Sequence, residues 1–189
     1  ESDLNPSYYM RAVTDQDLLA RAQRFEEEAL AEIFDRYQAG IYRYAMRLLG
    51  DPSVAEDCVS ETFSRLLKAL QHGQGPVDFL KAYLYRVAHN WITDYYRRQP
   101  PPTEELKDEL PDRESSPEHQ TEDRLLAERT RRALLLLPAE QREVIMLRYY
   151  EGLEMEEIAA SMGKTLGAAK ALQHRGLTAL RKMFSEDER

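Results

Sequence analysis

Between Ile158 and Ser185 the chain has no aspartate or glutamate, yet it carries Lys164, Lys170, Arg175, Arg181 and Lys182, with Gln173 and His174 among them. Glu151, Glu154, Glu156 and Glu157 lie just before this stretch. A protein of net charge −8 that keeps one segment purely cationic is aiming that segment at a polyanion. A second cluster puts Tyr83, Tyr85, His89, Asn90, Trp91, Tyr95 and Tyr96 beside Lys81, Arg86, Arg97 and Arg98. Aromatic rings interleaved with cations suit unstacked bases and a single-strand backbone. Packing into a core is the competing use, and Trp91 and Tyr83 are expected to serve it. Asn90 is the better candidate for a base edge, because its amide both donates and accepts.

The elements that must position these residues read as helices. Pro138 leads a segment to Tyr150 with Val144, Ile145 and Leu147 at helical spacing, and Gly152 closes it. Glu154 to Met162 forms a short helix with Ile158, Ala159 and Met162 on one side. Gly163-Lys164-Thr165 makes a tight corner, where Gly takes the left-handed backbone and Thr caps a last helix, Leu166 to Phe184. Two helices about a Gly corner, with the small Ala159 at their crossing, read as a helix-turn-helix.

Upstream, Thr14 and Asp17 resemble a capping box opening a helix through about Phe25. Leu30, Ile33, Phe34, Tyr37, Ile41, Tyr44, Leu48 and Leu49 keep helical spacing up to Gly50. Asp51-Pro52 caps and starts the next helix, with Val54, Ala55, Val59, Phe63, Leu66 and Leu70 inward. After a loop at 72–76, a helix from Asp78 to Arg98 buries Leu80, Leu84, Val87, Ala88 and Trp91.

Charge divides the chain into three. Residues 1–98 hold 12 basic and 15 acidic groups, residues 99–123 hold two and nine, and residues 124–189 hold twelve and ten. The middle block also holds five of the nine prolines, at 100, 101, 102, 111 and 117, and cannot bury enough apolar surface to fold alone. The expected organisation is an N-terminal extension (1–13), a helical domain (14–98), an acidic Pro-rich linker (99–123), a helix-turn-helix domain (124–184) and a tail (185–189). The fold class is all-α, two small helical domains joined by a flexible acidic linker.

Composition excludes several functions. A single cysteine, Cys58, leaves no internal disulfide and no Cys-cluster metal site, and suits a reducing compartment. His72, His89, His119 and His174 fall in a loop, a helix, the linker and the basic helix, so no spacing gathers them at a metal. There is no P-loop and no Ser or Cys nucleophile signature, so neither catalysis nor a cofactor is expected. No apolar run approaches the roughly 20 residues a bilayer requires, and no secretory leader pattern is visible. The expectation is a cytoplasmic protein without membrane insertion.

In order, Ile33-Phe34-Asp35-Arg36-Tyr37, then Ala55-Glu56-Asp57 with Glu61-Thr62-Phe63, then Ala82-Tyr83-Leu84-Tyr85-Arg86-Val87-Ala88-His89-Asn90, the acidic linker, and Leu137-Pro138 through Glu157-Ile158-Ala159 resemble a bacterial RNA polymerase sigma factor. The type resembled is the extracytoplasmic-function (ECF) type, which keeps only the sigma-two and sigma-four domains. The resemblance implies a promoter-specificity subunit that binds core RNA polymerase and helps to melt promoter DNA. Asp57, Glu61, Phe63 and Leu66 match the surface that docks on the largest-subunit coiled coil, and the sigma-four-like domain would meet the beta-subunit flap. Gln74, Asp78, Arg86, Asn90, Tyr95, Arg97 and Arg98 fall in the minus-ten reader. Lys164, Thr165, Lys170, Ala171, His174 and Arg175 fall in the minus-thirty-five reader. An anti-sigma protein or other regulator is an implied partner. The family's usual Gly-Asp break between the first two helices is Arg24-Phe25-Glu26 here, so those helices are expected to run on as one. The rival function is a stand-alone helix-turn-helix regulator. The Tyr-rich start, Ser7-Tyr8-Tyr9-Met10, is a candidate further contact or regulatory segment.

Overall fold

Thr14 opens the first helix as its capping box requires. Its hydroxyl accepts from the Asp17 amide at 3.1 Å, while the Asp17 carboxylate faces the Thr14 amide at 3.3 Å. This helix, α1 (Asp15–Ala22), does not run on into α2 (Glu27–Leu49). Phe25 adopts φ 58°, and the Phe25 and Glu26 amides donate back to Ala22 O (2.9 Å) and Arg21 O (3.3 Å). That is a Schellman closure with Phe in the place glycine usually takes. Arg21 and Arg24 both clamp Glu26, at 2.6 and 2.7 Å, and hold the reversal. The missing Gly-Asp pair is thus replaced by side-chain ion pairs, which helical periodicity does not register.

We describe a computed structural model covering residues 13–99 and 119–186; the Tyr-rich start and most of the acidic linker lie outside the described residues. Every regular element among the described residues is a helix. Gly50 ends α2 at φ 71°, and Asp51 caps α3 (Pro52–Gln71) by accepting from Ser53 and Val54 at 2.8 and 3.1 Å. A loop leads to α4 (Leu80–Arg98). The loop is braced rather than loose: Pro76 is buried and its carbonyl accepts from Gln23 Nε2 at 3.1 Å. Helices α1–α4 close around Leu18, Ile33, Ile41, Tyr44, Leu48, Leu66, Leu84 and Ile92, each at most 2% exposed. Gly40 is needed here, because a Cβ at that position would collide with the Tyr85 hydroxyl.

The second half begins earlier than composition suggested. Helix α5 (His119–Leu136) starts within the segment read as linker and carries His119. Its later turns bury Ala133 and Leu134, and this tertiary packing outweighs the weak pattern of its start. Then α6 (Ala139–Ile145) continues into a π-helical turn (Met146–Tyr150), followed by α7 (Met155–Ser161) and α8 (Leu166–Glu186). The wide turn lets Val144, Ile145, Met146 and Leu147 all be buried, more than a regular amphipathic stripe would allow.

Candidate nucleic-acid interface

Gly163, at φ 63°, turns the chain from α7 into α8. Thr165 Oγ1 accepts from the Ala168 amide at 3.2 Å, so Thr165 acts as the cap of α8. Buried Ala159, at 4% exposure, and buried Ala169 and Leu172 fix α8 against the rest of its unit. Gly176 lets Ile145 approach, since a Cβ there would lie 3.1 Å from it. With that side buried, Lys170, Ala171, His174 and Arg175 are exposed together on the opposite face. Lys164 stands apart: its ammonium is 2.7 Å from Glu140, an ion pair between the helix-turn-helix corner and α6. The exposed Tyr149 also flanks α8, its hydroxyl accepting from Gln173 Nε2 at 3.0 Å. Nothing in the sequence pattern separated Tyr149 from the apolar helix around it.

On α4 the aromatic cluster splits. Tyr85 is 3% and His89 1% exposed, so neither is open to a base. Tyr83 and Trp91 are half-buried and packed on the core, as anticipated. Arg86, Asn90 and Arg97 recur on one helical face, with Asn90 and Arg97 exposed and Arg86 half-buried. Tyr95 stacks on Trp91 with ring centres 5.6 Å apart and planes 15° apart. This pair lines a shallow cleft with Arg65, Asp94, Arg98 and Gln99. Arg97 pairs with Asp94 at 2.9 Å, and Arg98 is exposed. Gln74 and Asp78 are exposed on the loop ahead of α4, where Asp78 Oδ1 is 3.5 Å from Gln16 Nε2.

Helix α3 divides its residues between core and surface. Phe63 and Leu66 are 8% and 2% exposed and belong to the core, so they are not an open apolar stripe for a partner. Helical spacing turns both inward, and α2 and α4 cover that side; the resemblance alone implies a docking surface for them. The Phe63 ring instead packs at 4.8 Å on Phe34. The apolar surface left near them is Phe34 and Leu67, at 40% and 38% exposure. Glu56 and Asp57 are exposed on α3, while Glu61 is engaged by Arg65 at 2.8 Å, which holds its carboxyl below the usual carboxylate range.

The sequence of the chain matches two families in the order of these two interfaces: Sigma-70 region 2 over residues 33–100 and Sigma-70, region 4 over residues 133–182. Together they span more than half of the chain. The chain belongs to the sigma factors of RNA polymerase. It is 34% identical over 170 residues to the ECF RNA polymerase sigma factor SigL of Mycobacterium tuberculosis, covering 85% of this chain and 92% of that protein. It is 32% identical over 177 residues to the ECF sigma factor BldN of Streptomyces coelicolor, covering 92% of this chain and 67% of that one. These relatives place it in the ECF type. Its fold is similar to that of CnrH, solved in complex with the cytosolic domain of CnrY (TM-score 0.67, 23% identity, 92% of this chain and 98% of that one). It is also similar to RpoE in complex with the anti-sigma factor NepR from Bartonella quintana (TM-score 0.53, 24% identity, 86% and 98%).

As an ECF sigma factor the protein is a promoter-specificity subunit whose partners are core RNA polymerase and promoter DNA. The region 2 match decides against a stand-alone helix-turn-helix regulator. Among the described residues no group of His, Cys, Asp or Glu is arranged to hold a metal ion, and no helix is long and apolar enough to cross a membrane.

Proposed function

We propose that the α8 face reads the minus-thirty-five element and that the loop–α4 unit captures the minus-ten element as a melted strand. The observation that carries this is the pair of solvent-facing cationic helices in a chain of net charge −8. On α8, Lys170, Ala171, His174 and Arg175 enter the major groove, with Lys170 and Arg175 free to meet a phosphate or a guanine edge. Lys164 and Thr165 serve first as braces of the corner that aims this helix. On α4, Asn90 hydrogen-bonds an unstacked base, Arg86, Arg97 and Arg98 hold the strand backbone, and the Trp91–Tyr95 stack offers a ring face. Gln74 and Asp78 flank the captured base. Melting proceeds because base capture offsets an unstacking cost of a few kcal/mol.

Core polymerase docks on α3 through Asp57 and Glu61, with Phe34 and Leu67 supplying the apolar contact that buried Phe63 and Leu66 support from beneath. Acidic groups beside exposed apolar side chains suit a basic amphipathic coiled coil. The region 4 unit contacts the beta-subunit flap, the acidic linker runs through the polymerase, and the protein contributes no chemistry of its own. It acts in the cytoplasm, where an anti-sigma protein holds it inactive. Run-off transcription with purified core polymerase and a genomic promoter library tests the assignment. Specific starts that depend on the protein, with two shared upstream elements, are expected. Co-elution with core without any start would remove the minus-ten assignment.

A further inference from the structure

Tyr149 lies in the π-helical turn that closes α6, and it is 55% exposed although residues 144–147 just ahead of it are buried. Wide turns of this kind recur at functional sites. Its neighbour Tyr150 is used in packing, with Arg47 over the ring at 4.7 Å. Tyr149 turns instead to α8. Ile145 lies against Gly176; one turn further along α6 and one turn back along α8, the Tyr149 hydroxyl meets Gln173 Nε2 at 3.0 Å. The two segments run side by side in opposite senses. Tyr149 therefore ends beside the N-terminal half of α8, which carries Lys170, Ala171 and His174 on its exposed face.

An amide nitrogen only donates, so the Tyr149 oxygen accepts from Gln173 and keeps its own proton to give. Among the described residues that oxygen has no other hydrogen-bond partner. The carboxylates nearest in the chain are already engaged: Glu154 by Arg148 at 3.0 Å and Glu151 by Arg47 at 3.8 Å. Glu140, on α6, pairs with Lys164 at 2.7 Å. Lys170, one turn before Gln173, is exposed and brings positive charge to this edge of α8.

We propose that Tyr149 is a further DNA contact, donating its hydroxyl proton to a backbone phosphate at the edge of the minus-thirty-five element, and that Gln173 is the residue that positions it. This role rests on the reading of the α8 face as the minus-thirty-five reader. A phosphate oxygen accepts and does not donate, which is the partner that an already accepting hydroxyl requires. The contact comes from outside α8, so it fixes the orientation of that helix in the groove and adds affinity without reading a base. Tyr149 is neutral, so its contact adds nothing to the salt dependence of binding, unlike an ionic contact from Lys170 or Arg175.

Filter binding of the holoenzyme, core polymerase with the full chain, to a promoter duplex tests this. Tyr149→Phe keeps the ring and removes only the hydroxyl. It should weaken binding about tenfold, the lower end for a hydrogen bond to a charged group, and leave the salt slope at its wild-type value. Neutral methylphosphonates placed one at a time along the minus-thirty-five element locate the partner. One position should cost the wild type affinity and cost Tyr149→Phe much less, because the contact is already gone. Gln173→Ala leaves the donor but frees the ring. It should weaken binding, reduce the effect of that same methylphosphonate, and add nothing on top of Tyr149→Phe.

Wild-type affinity in Tyr149→Phe, a flattened salt slope, or methylphosphonate losses that add in full to that of Tyr149→Phe would overturn the contact. A full additional loss from Gln173→Ala would give Gln173 a DNA contact of its own and overturn its positioning role. Lys170→Ala is measured in parallel. A loss there without one in Tyr149→Phe overturns the Tyr149 contact alone, whereas no loss in either overturns the minus-thirty-five assignment as well.

Discussion

At the scale of single residues, two buried groups set opposing pH dependences. Burial holds the Glu143 carboxyl up at about 7, above an ordinary 4.5, and holds His89 down at about 3, below an ordinary 6.5. Between about pH 4.5 and 7 the folded protein binds more protons at Glu143 than the unfolded chain does, so the contribution of Glu143 to stability falls as pH rises. Between about pH 3 and 6.5 it binds fewer at His89, so that contribution grows as pH rises. The two cancel over most of their shared range and leave a net loss near neutral pH. Glu143→Gln removes the falling limb. From about pH 6 to about pH 8 the wild type should therefore lose stability relative to the variant, as read by urea unfolding; equal changes in the two proteins would mean that Glu143 is ionised in the fold. For DNA, Asn90→Ala should leave closed-complex binding near wild type and slow open-complex formation by about tenfold or more, as read by permanganate reactivity. Comparable losses in both steps would count against base capture. Lys170→Ala should weaken promoter binding; a uniform loss on all sequences reports a phosphate contact, and relaxed preference at one position reports base readout.

At the scale of elements, α3 shows most clearly how one helix divides its labour. Its inner face, with Phe63 and Leu66, holds the region 2 unit together, and its outer face leaves Asp57, Glu56 and Leu67 exposed. Phe63→Ala should lower the unfolding free energy by about 3–5 kcal/mol, the usual cost of a large core truncation. Leu67→Ala should cost little stability and should weaken co-elution with core polymerase. The reverse pattern would restore Phe63 to the interface. Thr14→Ala, which removes the capping box of α1, should cost about 1 kcal/mol. The boundary between α1 and α2 makes a related point. Phe25 takes a left-handed conformation that its residue type disfavours, and the ion pairs from Arg21 and Arg24 to Glu26 hold it there.

At the scale of the whole molecule, two cationic helices are carried by an acidic chain. Promoter affinity of the holoenzyme should fall steeply with salt, because each neutralised phosphate releases a counterion. Lys170→Ala should flatten that slope if its contact is ionic, which filter binding across a salt series would measure.

Much of this protein was already legible in its sequence. The Thr14–Asp17 box, the Asp51-Pro52 start, the Gly50 and Gly152 stops and the Gly163 corner are local instructions carried by residues a few positions apart, so they were readable without the fold. The basic face of α8 was readable for the same reason: a helix converts sequence spacing directly into a surface. The order of motifs was enough to indicate the family. Tertiary structure decided what spacing leaves open, namely which of several apolar or aromatic residues face inward. It took Tyr85 and His89 into the interior and left Phe34 and Leu67 outside, whereas helical spacing had already turned Phe63 and Leu66 inward. It made helix of the segment from His119, through packing of turns that lie further along. It also set Lys81, Tyr85, His89 and Thr93 of α4 against α6 and the turn after it. Burial depends on what arrives from distant parts of the chain, and no local pattern encodes that arrival.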